Sequence, residues 1–254
     1  MFGWAQQYSS QDKHNIDANF GGAISAFPVD LDGDGDMDIM GTAYTDDDVA
    51  WFENNGAQVF TERSIDGDFD GAWGVHAADM DGDGDMDVVS SAFIAGDIAW
   101  YQNNGSQSFS KNIIESNFDG AISVFPVDMD RDGDLDILAT AYYDDDVAWF
   151  ENNGAQVFTK RTIDGDFDGA TVIYPVDIDV DGDMDIIGGA WNLGDIAMYE
   201  FADNTAPTIT VTAHNGSNAV FDGSSTNDGT LAITFTISEI INNFVVGDIT
   251  VSGG

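Results

Sequence analysis

Cysteine is absent from the chain, and basic residues are scarce: 6 Lys plus Arg stand against 47 Asp plus Glu. Without cysteine there is no disulfide, no thiolate metal site and no thiol nucleophile. A formal net charge of −41 removes nucleic acid as a partner, because neutralising phosphates takes clustered Lys and Arg. Docking on an anionic membrane surface fails for the same reason. No apolar run reaches the ~18 residues of a spanning helix, so direct membrane insertion is not expected. Apolar residues nowhere keep a 3.6-residue period over a useful length, and helices should be nearly absent. Residues Met1 to Gln11 lack the basic and then apolar regions of a secretion signal, which leaves two readings: a leader already removed, or none.

What is present is enough for a core. Hydrophobic residues make up 43% and aromatics 12%, with 6 Trp and 17 Phe, a composition that separates this acidic chain from disordered ones. Gly is frequent at 29 residues and Pro rare at 4, as expected of short segments joined by tight turns.

Internal repetition dominates. Acidic segments starting at Asp30 (DLDGDGDMDI), Asp79 (DMDGDGDMDV), Asp128 (DMDRDGDLDI) and Asp177 (DIDVDGDMDI) follow one another at 49 residues without insertion or deletion. Trp51, Trp100, Trp149 and Met198 keep the same step, as do Phe20, Phe69, Phe118 and Phe167. Each unit reads as four β-strands: AISAFPVD before the acidic loop, DMDIMGTAY after it, then VAWFENN and QVFTERSI. They are rich in Val, Ile, Phe, Trp, Tyr and Thr and separated by Asp, Asn and Gly. Four short antiparallel strands per 40 to 50 residues mark a propeller blade. The last unit stops after its third strand at Phe201, and Tyr8 to Asp17 aligns with the missing fourth. The expected fold is therefore all-β: a β-propeller of four 49-residue, four-stranded blades, closed by the N-terminal strand so that no edge stays open.

Two domains are expected, the propeller at 1–203 and a different segment at 204–254. The second has alternating strands at Thr208 to Ala213 and Thr230 to Ser238, no trace of the repeat, and about half the length of an independent sandwich. It reads as the first half of a β-sandwich module.

The acidic loops have the form D-x-D-x-D-G-x-x-D. Calcium takes 6 to 8 oxygens, carboxylates at alternate positions of a tight loop converge on a point, and glycine permits the turn. The metal set is Asp30, Asp32, Asp34, Asp36 and Asp38 in the first loop, with Asp36 contributing its backbone carbonyl. The corresponding sets are Asp79, Asp81, Asp83, Asp85 and Asp87; Asp128, Asp130, Asp132, Asp134 and Asp136; and Asp177, Asp179, Asp181, Asp183 and Asp185. Gly35, Gly84, Gly133 and Gly182 hold the turn. An EF-hand is excluded: its twelfth position needs a bidentate Glu, whereas Gly41, Ser90, Ala139 and Gly188 stand there, between strands. Five carboxylates within nine residues repel unless a cation lies among them. Magnesium favours fewer carboxylates and retains water, so about four Ca2+ ions, one per repeat, are the expected cofactors.

These loops, with VAWFENNG at Val49 and Val147 and IAWYQNNG at Ile98, resemble the FG-GAP/VCBS repeats of integrin-α-like propellers over about residues 1–203. Propellers of that kind have seven blades, and this chain offers four. The resemblance implies calcium loops joining the first and second strands of each blade on one face, with ligands met on the opposite face. Residues 204–254, with TNDGTLAITFTISE and DITVSGG, are similar to bacterial Ig-like repeats of adhesins.

On that basis the ligand face comprises Thr45 to Asp48, Ile94 to Asp97, Tyr143 to Asp146 and Asn192 to Asp195. Trp73 departs from its repeat partners Ile24, Ile122 and Thr171, and His76 from Phe27, Phe125 and Tyr174. An aromatic and acidic patch for sugars or a protein is one reading; core substitution is the other, and the repeated Phe residues read as packing. A partial acidic motif, DGDFDG at Asp66 and Asp164, is a weaker candidate for a second metal set. The functional expectation is a calcium-stabilised binding or adhesion module of a secreted or cell-surface protein, non-enzymatic, with a protein or glycan ligand and further domains in the same polypeptide. The alternative is an accessory or catalytic propeller of an extracellular polysaccharide-active enzyme. Against it, His14, His76 and His214 have no recurrent Ser or carboxylate partner.

Overall fold

The computed structural model describes residues 13–201, 209–215, 218–220 and 232–237. Contacts divide the chain into two compact units, Met1–Pro175 with Ile186–Tyr199, and Val176–Asp185 with Glu200–Gly254.

Strands fall where the alternation of β-branched and aromatic residues places them, within one or two residues. The first blade has β1 Ala23–Val29, β2 Asp38–Ala43, β3 Asp48–Asn54 and β4 Phe60–Asp66. The second has β5 Ala72–Ala78, β6 Asp87–Ala92, β7 Asp97–Asn103 and β8 Phe109–Glu115. The third has β9 Ala121–Val127, β10 Asp136–Ala141, β11 Asp146–Asn152 and β12 Phe158–Asp164. The fourth has β13 Ala170–Val176, β14 Asp185–Ala190 and β15 Asp195–Tyr199. Each blade is an antiparallel meander in chain order, four-stranded in the first three and three-stranded in the last. No helix among the described residues is long and apolar enough to cross a membrane. The fold is all-β, a β-propeller built of repeated blades.

Burial follows position in the blade. β6 and β10 are buried throughout, whereas the centres of β4 and β12 are exposed. This explains why the second strands read as unbroken small and apolar runs while the fourth carry Glu, Lys and Arg. The periodic Phe residues pack edge-on against the third strand of their own blade: Phe20 on Phe52, Phe69 on Tyr101, Phe118 on Phe150 and Phe167 on Tyr199, with centroids 5.2 to 6.0 Å apart. A Cβ at Gly41 would come 3.0 Å from Phe52 and 3.1 Å from Phe20. The small residues Gly41, Ser90, Ala139 and Gly188 are thus needed by this ring pair.

Neighbouring blades are joined by main-chain bonds. The N–H groups of Phe69, Phe118 and Phe167 donate to the carbonyls of Asp47, Gly96 and Asp145 at 2.8, 2.9 and 2.9 Å. Buried hydroxyls add to this, with Thr42 donating to the Trp73 carbonyl at 2.5 Å and Ser91 to that of Ile122 at 2.6 Å.

Of the expected closing strand, residues 8–12 lie outside the described residues, and Lys13 to Asp17 are not in a strand. His14, Asn15 and Ile16 nevertheless line a groove with Ala57 to Phe60. One repeat on, Arg63, Ser64 and Ile65 line the matching groove with Ser106, Gln107 and Phe109. Residues 14–16 therefore stand against the first blade as the outer strand of a preceding blade does.

In the second unit, β16 Ile209–Asn215, β17 Asn218–Val220 and β18 Ala232–Ile237 form an antiparallel sheet in the order β17-β16-β18. Much of the rest of the expected sandwich half lies outside the described residues.

Candidate metal centre

Each acidic loop links the first and second strands of its blade, and its five carboxylates divide by task. The first, second and fifth converge: Asp30, Asp32 and Asp38 bring one oxygen each within 4.8 Å of one another, as do Asp79, Asp81 and Asp87; Asp128, Asp130 and Asp136; and Asp177, Asp179 and Asp185. The third and fourth stay outside these groups. Asp34, Asp83, Asp132 and Asp181 each accept the N–H two residues ahead, at 2.9 to 3.0 Å. Asp32, Asp81, Asp130 and Asp179 accept an N–H two residues ahead in the same way, at 3.1 to 3.3 Å, so this local turn bond shapes the loop without deciding which side chain converges. Asp36, Asp85 and Asp134 lie against Gly56, Gly105 and Gly154 of the β3–β4-type turn, where an added Cβ would collide with them.

Loop shape comes from left-handed backbone. Gly35, Gly84, Gly133 and Gly182 have φ of 95° to 103°, a region closed to side chains. Two residues earlier, Gly33 and Gly82 at φ 73° and 75° are replaced in later repeats by Arg131 and Val180, both at φ 62°. A β-branched residue there is strained, so the fourth loop keeps its shape at a cost the first two avoid.

The fifth aspartate has a role that spacing alone did not reveal. Asp38 accepts the Leu31 N–H at 3.1 Å with one oxygen and the Asn54 N–H at 2.7 Å with the other. Asp87 does the same with Met80 and Asn103, Asp136 with Met129 and Asn152, and Asp185 with Ile178 and Phe201. All four carboxylates are fully buried. They clamp the start of the loop to the end of the third strand. Asn54 returns the bond, its amide donating to the Met37 carbonyl at 3.0 Å, and Asn103 and Asn152 repeat this. The recurring first Asn of the ENN and QNN motifs was the available signal. The fourth repeat has Phe201 at this position and lacks the returning bond.

Burial pushes the Asp87 and Asp136 carboxyls up to about 6, offset only in part by the Asn103 and Asn152 N–H groups. Desolvation also raises Asp32 and Asp130. Taken out of water beside like charges, these groups favour either a proton or a cation. Buried oxygens without a partner favour the cation: Asp30 Oδ1, Asp128 Oδ1 and Asp177 Oδ1 have no hydrogen bond. In the second loop Asp79 Oδ1 accepts from the Asp83 N–H at 3.0 Å. Unsatisfied buried oxygens are rare in native folds, and three hard anionic donors with such an oxygen among them fit a divalent, oxygen-seeking ion. Repeated Asp clusters able to hold a metal, one per repeat, are thus a feature of the chain.

The second acidic motif is not such a cluster among the described residues. Asp66 instead accepts from the Tyr101 hydroxyl at 2.8 Å and pairs with Lys111 at 2.7 Å, and its pKa stays low although burial works against it. Asp164 likewise accepts from the Tyr199 hydroxyl at 2.9 Å. Both aspartates tie blades together.

The end of the blades away from the acidic loops carries an aromatic series at the 49-residue step, Tyr44, Phe93, Tyr142 and Trp191, each following a buried Ala. Trp73 joins them, 5.7 Å from Tyr44 and 5.1 Å from Phe93, and Phe93 reaches Tyr143 at 5.2 Å.

Comparison with known proteins places these features in context. None of the curated proteins compared matches the chain. Among solved structures, one described as the streptogramin B lyase structure superposes with a TM-score of 0.42 and 15% identity, over 68% of this chain and 55% of that one. The chain spans about half the length of that protein. The family described as FG-GAP-like repeat matches residues 30–90, 92–139 and 128–188, spans that contain the first three acidic loops in full and the fourth as well. The chain belongs to the FG-GAP-like repeat family.

Proposed function

We propose that the protein is a calcium-stabilised binding module of a secreted or cell-surface protein, acting by adhesion to a ligand and not by catalysis. The observation that carries this reading is the set of buried, unpartnered oxygens of Asp30, Asp128 and Asp177 inside three-carboxylate clusters. The first, second and fifth aspartates of each loop would hold the ion, which supplies charge neutralisation and a crosslink between loop and strand. Calcium fits better than magnesium because the site offers several carboxylates, where magnesium takes one or two and keeps its water.

The setting follows from affinity. Extracellular calcium modules bind at ~0.1 to 1 mM, far above resting cytosolic calcium, so such sites fill outside the cell. Calcium at ten times the dissociation constant adds about 1.4 kcal/mol per site. Four sites then add roughly 6 kcal/mol, comparable with the stability of a whole domain. Four dications would also bring the formal charge from −41 to −33. On the opposite end, the aromatic series with Trp73 supports a ligand-binding face. Residues 204–254 are read as part of an Ig-like module in the same polypeptide.

Thermal denaturation of the metal-stripped chain, with and without millimolar calcium, tests the proposal. A melting temperature raised by many degrees in calcium, and less by magnesium, is expected; identical melts refute it.

A further inference from the structure

We infer that the axial pocket beside Trp73 takes one neutral pyranose ring, free or at the end of a glycan; this rests on the reading of the protein as a binding module and names its ligand class. The first strands of the blades bring equivalent positions together. Phe27, His76, Phe125 and Tyr174 form a continuous row of rings, with centroids 4.7, 4.6 and 5.4 Å apart. These strands run from the turn end toward the acidic loops, so the row is a floor. Three residues earlier on each strand, above that floor, Ile24, Trp73, Ile122 and Thr171 line a pocket of about 220 Å³ together with Ser25 and Ser123.

The lining chemistry selects the ligand. No lining residue is cationic, and burial pushes His76 down to about 4, so it is neutral at pH 7. A phosphate, sulfate or carboxylate would find no counter-charge. No acid lines the pocket either, so no carboxylate is placed there to pair with a cation. What remains is an indole, the aliphatic residues Ile24, Val75, Ile122 and Val124, and hydroxyls. Among the described residues the Ser25 and Ser123 hydroxyls have no protein partner, their main-chain N–H groups being held by Thr42 and Thr140 at 3.2 Å. An apolar face bordered by free hydroxyls matches a sugar ring, which has C–H groups on its faces and hydroxyls on its rim. The volume lies below the 300 to 1,000 Å³ usual for drug-sized ligands, which suits one ring.

The Trp73 backbone is fixed by the Thr42 bond to its carbonyl, so the stacking surface is held in place. Tyr44, Phe93 and the 59%-exposed Tyr143 continue it outward, where a second residue of a glycan could stack.

The test uses the full chain in calcium, titrated calorimetrically with glucose, galactose, mannose and N-acetylglucosamine, and probed on an array of neutral, anionic and cationic glycans and a poly-lysine peptide. Saturable binding of a neutral sugar is expected, with a change in Trp emission. Trp73→Ile, which installs the residue found at Ile24 and Ile122, should weaken it about tenfold or more while leaving the calcium-induced rise in melting temperature unchanged. Ser123→Leu, which fills the pocket, should abolish it and serves if the Trp73 variant does not fold. Binding retained in both variants, or confined to anionic glycans or poly-lysine, overturns the inference and leaves the binding-module reading standing. Absence of binding to every neutral sugar also overturns it. Loss of the calcium response in the parent chain counts against the proposed function instead.

Discussion

Burial of Asp87 and Asp136 makes the proposed coupling between protons and calcium measurable. Their carboxyls, ordinarily at 3.8, lie at about 6 in the fold, a difference worth about 3 kcal/mol per group. Because the folded value is raised, the fold binds protons that the unfolded chain releases between about pH 4 and 6. Metal-stripped protein must therefore gain stability as pH falls through 6, by about 1.4 kcal/mol per group between pH 7 and 5. Asp32 and Asp130, also raised by burial, act in the same direction. So does the relief of self-repulsion in a chain of charge −41. In the proposed calcium site the ion would compete with those protons for the same oxygens. At a concentration tenfold above its dissociation constant, calcium bound there would add about 1.4 kcal/mol per site at pH 7; at pH 5, with a proton bound about tenfold in excess, the increment would shrink to about 0.4. The stability curves with and without calcium should converge on acidification.

His76 works against the first effect, so the experiment is cleanest in a His76→Phe background. Urea denaturation at about pH 5, 6 and 7, in metal-stripped buffer and in calcium, gives both curves. Parallel curves would mean that the buried fifth aspartate is no part of the metal site. Stability falling with acid in the stripped His76→Phe protein would mean that these carboxylates are not buried as charges, and the reasoning would fail at its first step.

Two further predictions rest on single side chains. His76 is pushed down to about 4 by burial between Phe27 and Phe125; its depressed value means that stability is complete above about pH 6.5 and is lost as pH falls toward 4, by about 3 kcal/mol. His76→Phe should remove that loss in a thermal melt recorded against pH, and an unchanged acid limb would refute it. Tyr101→Phe deletes a hydrogen bond to the Asp66 carboxylate and should cost about 1.5 to 3 kcal/mol; Tyr199→Phe, which removes the matching bond to Asp164, should behave alike in urea denaturation. No cost in either would show that the carboxylates are already satisfied, Asp66 by Lys111 and solvent and Asp164 by solvent.

The strands and the loops were legible because they depend on local chemistry repeated four times: alternating apolar residues for the one, Asp at every second position for the other. Which aspartates converge was not, because that depends on contacts distant in sequence. Asp38 is anchored by Asn54, 16 residues away; Asp32 and Asp34 each accept an N–H two residues ahead, yet only Asp32 joins Asp30 and Asp38, and the spacing D-x-D-x-D treats them alike. The aromatic series at Tyr44, Phe93, Tyr142 and Trp191 is hidden for a related reason: it changes residue type at each step, so identity does not reveal it. His76 could be read as a core substitution from its Phe and Tyr partners, and its ring stacking agrees. Trp73 was open between packing and binding, since only the fold brings it both to the mouth of a pocket and against Tyr44 and Phe93.

The 49-residue period also contains a slower one of two blades, and the blade junctions explain it. Phe52, Tyr101, Phe150 and Tyr199 alternate at one position, while Asp47, Gly96, Asp145 and Gly194 alternate at another. The phenols of Tyr101 and Tyr199 reach back to Asp66 and Asp164 in the preceding blade, and Asp47 and Asp145 reach forward to the N–H groups of Gly71 and Gly169. Both bonds therefore fall at the junctions of blades one with two and three with four. At the junction of two with three, Phe150 has no hydroxyl and Gly96 no side chain, which leaves the Phe118 N–H to Gly96 carbonyl bond and the Ser91 bond to Ile122. Each charge-assisted bond is worth about 1.5 to 3 kcal/mol, so the two-blade pair is the more tightly joined unit. That makes the aromatic contacts from Phe93 in blade two to Tyr142 and Tyr143 in blade three the ones that cross the weaker seam. A ligand stacked across these rings and Trp73 would stabilise the molecule where its own bonds are fewest.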